Sequence, residues 1–307
     1  MDNQEKTVTV PHYELDEVTN HFLSEYPVHC AYRTNKIGQQ HLHAHEGFEI
    51  YFCTSGTGSL LVGDQLFPLH AGTLTVIPPN VLHRPYSEYI QPFQRFVLSV
   101  DVSYMKLLDQ LCFTTKEALE KLLALSRFND PAATGIPRGS HHILPAEQFE
   151  PVRALLDKLA QCATLDGIER ELTQIRVLSE LFLLIIQLNR LPAPAYPSRT
   201  ADETIVGDVL AYLVAHYRED IQIHDLVSRF PVSRSRLLQL FKAKTGSTIV
   251  QFVNEYRLNQ AKLLLRMTAQ PVTEVAALAG FGDLSHFFSL FKRNVGLTPH
   301  QYRKSPR

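Results

Sequence analysis

The sequence predicts an α+β protein: an N-terminal β-barrel of the jelly-roll type carrying a helical pair, followed by an all-α region with two helix-turn-helix motifs. Three observations predict this fold class. Residues 28–102 contain short β-branched runs between turn residues, residues 146–191 show helical periodicity, and residues 228–307 repeat a pattern at an offset of fifty. A chain of 307 residues with 45% hydrophobic content is long enough for two hydrophobic cores.

The predicted strands are short and evenly spaced. They are Glu49–Cys53, Ser59–Val62, Leu74–Ile77 and Phe93–Val100. Turn signals rich in Gly, Pro and Asn separate them, for example Gly63-Asp64 and Pro78-Pro79-Asn80. Strands of this length and spacing are typical of a small sandwich or barrel, and a jelly roll is the natural candidate.

Helical patterns follow the barrel. We expect helices at Lys106–Leu111 and Lys116–Arg127, a loop rich in Pro, Gly, Ala and His at Asn129–His142, and longer helices at about Ala146–Ala163 and Ile168–Leu191. The last helix has a wide apolar stripe, formed by Leu172, Ile175, Leu178, Phe182, Ile185 and Ile186. One short neighbouring helix is too small to cover this stripe, so the helical pair is predicted to form a homodimer.

The C-terminal region contains one motif twice. Ser235–Thr248 and Ser285–Thr298 share six identical residues at an offset of fifty, and a short apolar helix pattern precedes each copy at an offset of forty-nine. A helix, a tight turn and a second helix ending in Lys-x-x-x-Gly constitute a helix-turn-helix, here in tandem. We expect a first helix that is capped by Asp202 and ends near Tyr217. In the two motifs, the support helices are expected at Asp225–Phe230 and Thr273–Ala279, and the recognition helices at Arg234–Lys244 (capped by Ser233) and Ser285–Asn294. A connecting helix is expected at Thr248–Met267.

Charge is distributed unevenly along the chain. The whole protein has 30 basic and 31 acidic residues, but residues 228–307 have 13 basic and 3 acidic ones. The remaining 227 residues therefore carry 17 basic and 28 acidic residues. A basic segment that coincides with a tandem helix-turn-helix predicts double-stranded DNA as a partner.

The candidate DNA contacts are the outward positions of the two recognition helices. In the first motif they are Ser233, Arg234, Ser235, Arg236, Gln239 and Lys242, and in the second they are Leu284, Ser285, His286, Ser289, Lys292 and Arg293. Arg and Gln can read base edges, whereas Ser, Lys and helix N-terminal amides hold phosphates. Lys242 and Lys292 lie near the C-termini of their helices, so we expect them to contact the backbone. Leu237, Leu240, Phe241, Phe287, Leu290 and Phe291 are expected in the core.

Residues 223–302 resemble the DNA-binding domain of the AraC/XylS family of bacterial transcription regulators. The most specific stretch is Val272–Arg303, which matches at Ala276, Gly280-Phe281, Phe287, Phe291-Lys292, Gly296, Pro299 and Tyr302-Arg303. The resemblance covers about a third of the chain strongly and the N-terminal half more loosely. It implies sequence-specific regulation, with RNA polymerase as a further partner. One departure from the family pattern is the first turn, where Pro231 precedes Arg234 and Arg236.

The N-terminal half has a His/Glu motif that resembles the two cupin motifs. Its residues are His43, His45, Glu49 and His83. The first three, with Tyr51, share one face if their strand runs continuously. We expect His43, His45, Glu49, Tyr51 and His83 to bind an effector. Two alternatives stay open: a divalent metal (Ni, Zn, Fe or Mn) held by the three histidines and Glu49, and a purely structural role.

The function predicted from these features is a sequence-specific transcription regulator, most simply an activator, controlled by a small polar effector such as a sugar. The alternatives are a cupin-type metalloenzyme with an accessory helical domain and a purely architectural DNA binder. The barrel motif alone does not exclude an enzyme. A catalyst, however, has no need of two recognition helices, and an architectural protein has no need of the His/Glu pocket.

The predicted organisation has four segments: a cupin-like effector-sensing domain over 1–144, a helical dimerisation element over 145–191, a linker over 192–201 and a DNA-binding domain over 202–307. The linker is predicted from the prolines of Leu191–Thr200. The N-terminus has no secretory pattern, no apolar run is long enough for a membrane span, and the four cysteines lack CxxC spacing. These features predict a cytoplasmic protein with reduced thiols and no membrane partner.

Overall fold

A computed structural model describes residues 20, 22–23, 25–34, 42–86, 93–104, 140–190 and 200–305. The helices predicted at Lys106–Leu111 and Lys116–Arg127, and most of the predicted linker, lie outside these residues. Within the described parts of the chain, every helix is too short or too polar to cross a lipid bilayer.

Two antiparallel sheets form the N-terminal barrel. The strands are β1 (Val28–Arg33), β2 (Phe48–Ser55), β3 (Gly58–Val62), β4 (Gln65–Leu69), β5 (Thr73–Ile77), β6 (His83–Tyr86), β7 (Gln94–Val100) and β8 (Ser140–Ile143). The larger sheet has the order β1-β7-β2-β5-β8 and the smaller one β4-β3-β6. The two-sheet barrel predicted from the sequence is therefore confirmed.

The predicted loop at Asn129–His142 is wrong at its end, where Ser140–Ile143 forms strand β8. Its backbone pairs with β5, where Thr75 lies opposite His141 and Leu74 opposite His142. The four residues Ser-His-His-Ile have no recognisable alternation of apolar and polar side chains, so periodicity could not reveal the strand. Pairing with β5, almost seventy residues earlier in the chain, is what makes it a strand.

Strand β2 divides its side chains between two cores. Phe48, Ile50 and Phe52 face the cluster that includes the helices after the barrel. Tyr51 and Cys53 lie in the cluster inside the barrel. This alternation follows from the two-residue period of a strand, and it turns the odd-numbered residues of β2 towards the interior.

After β8, the described residues form the helices α1 (Ala146–Gln161), α2 (Gly167–Arg190), α3 (Ala201–Ala215), α4 (Ile223–Arg229), α5 (Arg234–Thr245), α6 (Ile249–Met267), α7 (Val272–Leu278), α8 (Leu284–Val295) and α9 (Pro299–Lys304). Helices α1 and α2 pack on the outer face of the larger sheet, and Leu178 and Leu181 of α2 are fully buried there. Much of the apolar stripe assigned to a dimer interface is thus covered by the barrel of the same chain. Ile168, Leu172 and Leu183, in contrast, remain exposed.

The helix ends agree closely with the repeat. Ser233 and Asp283, fifty residues apart, cap α5 and α8, and both helices end at a left-handed glycine. Thr248 and Thr298 each form a capping box with a glutamine three residues on.

The cap predicted at Asp202 is wrong: Thr200 caps α3, because its hydroxyl accepts from the Glu203 amide and the Glu203 carboxylate accepts from the Thr200 amide. Residues 200 and 201 therefore belong to the helix and not to the linker.

The barrel and the helical region share a hydrophobic cluster. The barrel contributes Leu42, Ala44, Leu61 and Leu82, and the helical region contributes buried residues of α3, α5 and α6. The first helix-turn-helix unit (α4–α5) is therefore packed against the barrel. The second unit (α7–α8) has its own core with the end of α6.

Candidate functional site

The two recognition helices have the same division between core and surface. Leu237, Leu240 and Phe241 of α5 are buried, and so are the equivalent residues of α8, which are Phe287, Leu290 and Phe291. All twelve candidate DNA contacts are exposed. Their exposure is compatible with base and phosphate contacts. Which of them touch DNA stays a prediction.

One candidate base reader has a protein partner that the sequence did not reveal. The Arg236 guanidinium donates to the Asp202 carboxylate at 2.7 Å, so α3 holds this side chain. Lys244, the last residue but one of α5, lies 3.5 Å from Glu203 in the same way. The two acidic residues at the start of α3 thus neutralise two cations of the first recognition helix. No local signal predicts these pairs, since the partners are 34 and 41 residues apart.

The four-residue site, formed by His43, His45, Glu49 and His83, is buried inside the barrel. One ligand atom from each residue can be chosen so that all lie within 4.8 Å of one another. The structure therefore brings together the four residues that the sequence grouped. The condition of a continuous strand is not met, however: β2 begins at Phe48, the chain bends at residues 46–47, and His43 forms an isolated bridge with His83.

Hydrogen bonds orient two of the imidazoles. Nδ1 of His45 lies 3.0 Å from the Gly47 carbonyl oxygen, and Nδ1 of His83 lies 2.9 Å from the Val81 carbonyl oxygen. A carbonyl only accepts, so Nδ1 is the donor in both rings and Nε2 of the neutral form keeps its lone pair. These Nε2 atoms face the Glu49 carboxylate at 3.2 and 3.9 Å. A positive charge between these atoms and the carboxylate, either a proton on Nε2 or a bound cation, stabilises the Glu49 anion.

Glu49 is held in its ionised form despite complete burial. Desolvation raises its pKa, but the hydrogen bond from His45 and the charges of His83 and His45 outweigh it and lower the pKa overall. A buried carboxylate that stays ionised beside three imidazoles is a good ligand for a cation. The electrostatics of the site thus favour a bound positive charge.

The donor set fits a divalent transition-metal ion. Imidazole nitrogen with one carboxylate oxygen suits Zn²⁺, Ni²⁺ or Fe²⁺. Two ligands bound to one ion at about 2.1 Å lie at most about 4.2 Å apart, so only small side-chain movements are needed from the observed spacing. The carbonyl partners of Nδ1 are the outer contacts that usually orient metal-binding histidines. His43, His45, Glu49 and His83 are the residues that would hold the ion.

Two further polar side chains lie in the barrel interior. Tyr51 packs near Phe93, burial raises its pKa, and its hydroxyl has no hydrogen-bond partner among the residues described. Arg95 on β7 is also buried and donates to the Phe93 carbonyl at 3.0 Å. Sequence reasoning missed Arg95, although its odd position on a strand with interior Val97 would have revealed it. A guanidinium and a phenol inside the barrel suit a polar ligand.

A cleft lies between the barrel and the helical region, behind the four-residue site. Its lining residues are Leu42, Leu82, Glu255, Leu258, Asn259, Lys262, Asn294 and Val295. They come from the barrel, from the connecting helix α6 and from the end of α8. The cleft therefore touches the connecting helix and the second helix-turn-helix unit as well as the residues next to His43 and His83.

Comparison with known proteins agrees with this two-part architecture. The family model for an AraC-like ligand binding domain matches residues 26–161, and a helix-turn-helix domain model matches residues 226–305. The chain is 26% identical over 267 residues to the HTH-type transcriptional activator RhaS of Salmonella arizonae, covering 85% of this chain and 87% of that protein. The RhaS of Citrobacter koseri is 25% identical over the same share of each chain. An apo ToxT variant from Vibrio cholerae matches 90% of this chain and 97% of its own at 11% identity and a TM-score of 0.39.

Fold and family matches together define a DNA-binding transcription regulator with a ligand-binding domain. Its relatives are transcriptional activators and not enzymes, so the interpretation as a cupin-type metalloenzyme is rejected. The chain thus contains an AraC-like ligand-binding domain and a helix-turn-helix domain, and in this combination it resembles regulators of the AraC family.

Proposed function

We propose that this protein is a transcription activator whose binding to duplex DNA is controlled by a small polar effector held inside the barrel. The observation that carries the proposal is the four-residue site: three imidazoles and an ionised carboxylate enclosed in the barrel interior. Burying such groups is unfavourable unless they are paired or bind a ligand. The names of its relatives support the activator part of the proposal.

The DNA-binding part rests on the two exposed recognition surfaces. Residues at the N-terminal turns of α5 and α8 are the nearest to the bases in a helix-turn-helix that enters the major groove. Arg234, Arg236, His286 and Arg293 are the candidate readers, and Lys242 and Lys292 the candidate phosphate contacts. The excess of basic residues in 228–307 supports the same assignment.

The effector part rests on the chemistry of the interior. Imidazoles, Glu49 and Tyr51 can exchange hydrogen bonds with hydroxyl groups, and Arg95 can donate to oxygen. A carbohydrate is therefore the first ligand class to test. The spacing within the four-residue site is too small to enclose a sugar ring, so a sugar would lie beside these residues, towards Tyr51 and Arg95.

Two further partners belong to the proposal. A second copy of the chain would pair through the exposed part of α2, and RNA polymerase is expected from the family. The division into segments 1–144, 145–191, 192–201 and 202–307 also stays a proposal, with the linker boundary moved to residue 199 because Thr200 caps α3.

The experiment has two stages. Selection from a random duplex library with the full-length protein identifies an operator, and the dissociation constant for this operator is compared with that for scrambled DNA. The melting temperature is then followed across a carbohydrate panel, because a ligand that binds only the folded state raises it. The His43→Ala, His83→Ala double variant should lose the ligand response and keep DNA binding, whereas His70→Ala, at a partly exposed turn of the same barrel, should keep both. Failure to select any operator would refute the regulator, and a full response in the double variant would refute this effector site.

A further inference from the structure

The four-residue site and the interface with the helical region share one wall of the barrel. The wall consists of residues 42–45 and 82–85, hereafter the dividing wall. Its two segments are joined at His43 and His83, whose main-chain amides and carbonyls exchange hydrogen bonds of 3.2 and 2.9 Å. Their imidazole rings lie 4.0 Å apart. A ligand bound by these two rings is therefore attached directly to the wall.

Alternate residues of the dividing wall belong to opposite faces. His43, His45 and His83 face the interior and contribute to the four-residue site. Their neighbours Leu42 and Leu82 are buried in the cluster shared with α3, α5 and α6. Successive side chains of an extended segment point to opposite sides, so movement of one face necessarily moves the other.

Arg84 makes the polar contact of the wall with the first helix-turn-helix unit. Its guanidinium donates to the Ser247 hydroxyl at 3.1 Å, in the turn between the recognition helix α5 and the connecting helix α6. The chain at Gly246 approaches so closely that an added Cβ would lie 2.6 Å from the guanidinium. Gly246 also has a φ of 71°, which favours glycine, and any larger residue here would displace the Arg84 guanidinium.

A second hydrogen-bonded connection leaves the site through Asn80. The Asn80 amide donates to the His45 carbonyl at 2.8 Å, and the Asn80 carbonyl accepts from the Asn259 side chain at 3.0 Å. Asn259 lies on α6, the helix that joins the two helix-turn-helix units. The site is thus linked to the start of the connecting helix, through Ser247, and to its middle, through Asn259.

We propose that the dividing wall couples the binding of a divalent transition-metal ion by the four-residue site to DNA affinity, with Arg84 and Asn259 as the coupling residues. The ion draws His43, His45, Glu49 and His83 together and thereby moves Leu42, Leu82 and Arg84 against the helical region. The position of α5 relative to α6 changes with it, and so does the separation of the two recognition helices. This inference rests on the proposed function, since it specifies how that regulator responds.

The test uses the full-length protein, stripped of metal, with Zn²⁺ as the probe and Co²⁺ as its spectroscopic substitute. Metal content and the Co²⁺ absorption spectrum report on the site. The dissociation constant for the selected operator, with and without Zn²⁺, reports on coupling. For the wild type we expect one bound ion per chain and a change in operator affinity of about fivefold or more, the usual lower range of coupling between sites.

The variants separate binding from coupling. His83→Ala should lose the ion and the metal dependence of DNA affinity. Arg84→Met, which keeps much of the side-chain volume, and the milder Ser247→Ala and Asn259→Ala should keep the ion and reduce the metal dependence by at least half. Arg153→Ala, at an exposed arginine on α1, is the matched control and should behave as the wild type.

Each contrary result has its own meaning. Absence of bound metal at micromolar Zn²⁺ would overturn the metal site. Bound metal with unchanged operator affinity would overturn the coupling, yet leave the proposed regulator intact. An undiminished metal response in Arg84→Met, Ser247→Ala and Asn259→Ala would show that the dividing wall is not the route. Failure of the proposed function is distinct from all three, because it appears as loss of operator selection in the wild type.

Discussion

Arg236 on the first recognition helix donates to Asp202 at the start of α3, across 2.7 Å. Both side chains are partly exposed, so solvent screens the pair and its contribution to stability is small. The pair nevertheless neutralises a cation that the sequence assigns to DNA. Contact of Arg236 with a base or a phosphate would require its guanidinium to leave the Asp202 carboxylate.

The first prediction concerns the release of Arg236 from this pair. Asp202→Asn should strengthen binding to the operator, by about twofold to fivefold, because it removes an exposed ion pair worth up to about 1 kcal/mol. Fluorescence anisotropy with operator and scrambled duplexes measures the change. Asp208→Asn, on the same helix, serves as the charge control. Unchanged affinity in Asp202→Asn would mean that Arg236 does not contact DNA.

The second prediction separates base readers from phosphate contacts. Substitution of Arg234, Arg236, His286 or Arg293 by Ala should reduce operator affinity, by about 1–3 kcal/mol for a base-reading Arg, and relax preference at one base position. Lys242→Ala should weaken binding to DNA of every sequence by the same factor and reduce the salt dependence of that binding. Affinities for single-base operator variants at two salt concentrations provide the measurement. Equal losses on operator and random DNA for all four would identify them as phosphate contacts.

The third prediction is the length of the footprint. Helix α6 has 19 residues, so it is about 28 Å long at 1.5 Å per residue, close to the 34–36 Å of one turn of B-DNA. The two recognition helices should therefore occupy successive major grooves on one face of the duplex. Hydroxyl-radical footprinting should give two protected clusters about ten base pairs apart. One short cluster would contradict this arrangement.

The fourth prediction is a homodimer formed through the outer face of α2. Leu172 and Leu183, which are 59% and 60% exposed, project from nearly the same side of the helix. The double variant Leu172→Arg, Leu183→Arg should sediment as a folded monomer and bind paired half-sites poorly. Leu178→Arg is unsuitable as a test, because Leu178 is fully buried against its own barrel and its replacement would unfold the domain. A wild type that stays monomeric at tens of micromolar, with and without DNA, would exclude the dimer.

The fifth prediction is acid sensitivity from β8. Burial, with smaller effects of His142 and His70, lowers the pKa of His141 to about 3, and burial lowers that of His142 to about 4. The unfolded chain binds these protons below pH 6.5 and the native state does not, so the free energy of unfolding falls as the pH decreases from 6.5 towards 4. The slope is up to about 1.4 kcal/mol per pH unit for each histidine. Urea unfolding at pH 7.5 and 5 gives the difference in the free energy of unfolding between the two pH values. This difference should be smaller in His141→Gln than in the wild type, and it should be unchanged in His224→Gln, where the side chain is exposed.

Local patterns were sufficient for much of the fold. The tandem repeat predicted both recognition helices within one or two residues, since caps and left-handed glycines are encoded by the residues at the helix ends. Strand patterns located β2, β3, β5 and β7, but not β1, β4, β6 or β8. The same patterns placed His45, Glu49 and Tyr51 together in the barrel interior, although the chain bends at residues 46–47 between His45 and the strand.

By itself, the sequence determined the class of the fold, the tandem helix-turn-helix and the identity of the residues in the four-residue site. These depend on periodicity and residue chemistry, which are local. Only the tertiary structure decided that β8 pairs with β5, that α2 covers its own barrel, and that Arg84 meets Ser247, 163 residues further along the chain. Such contacts depend on which surfaces the folded chain brings together and buries, and no periodicity of either segment contains that information.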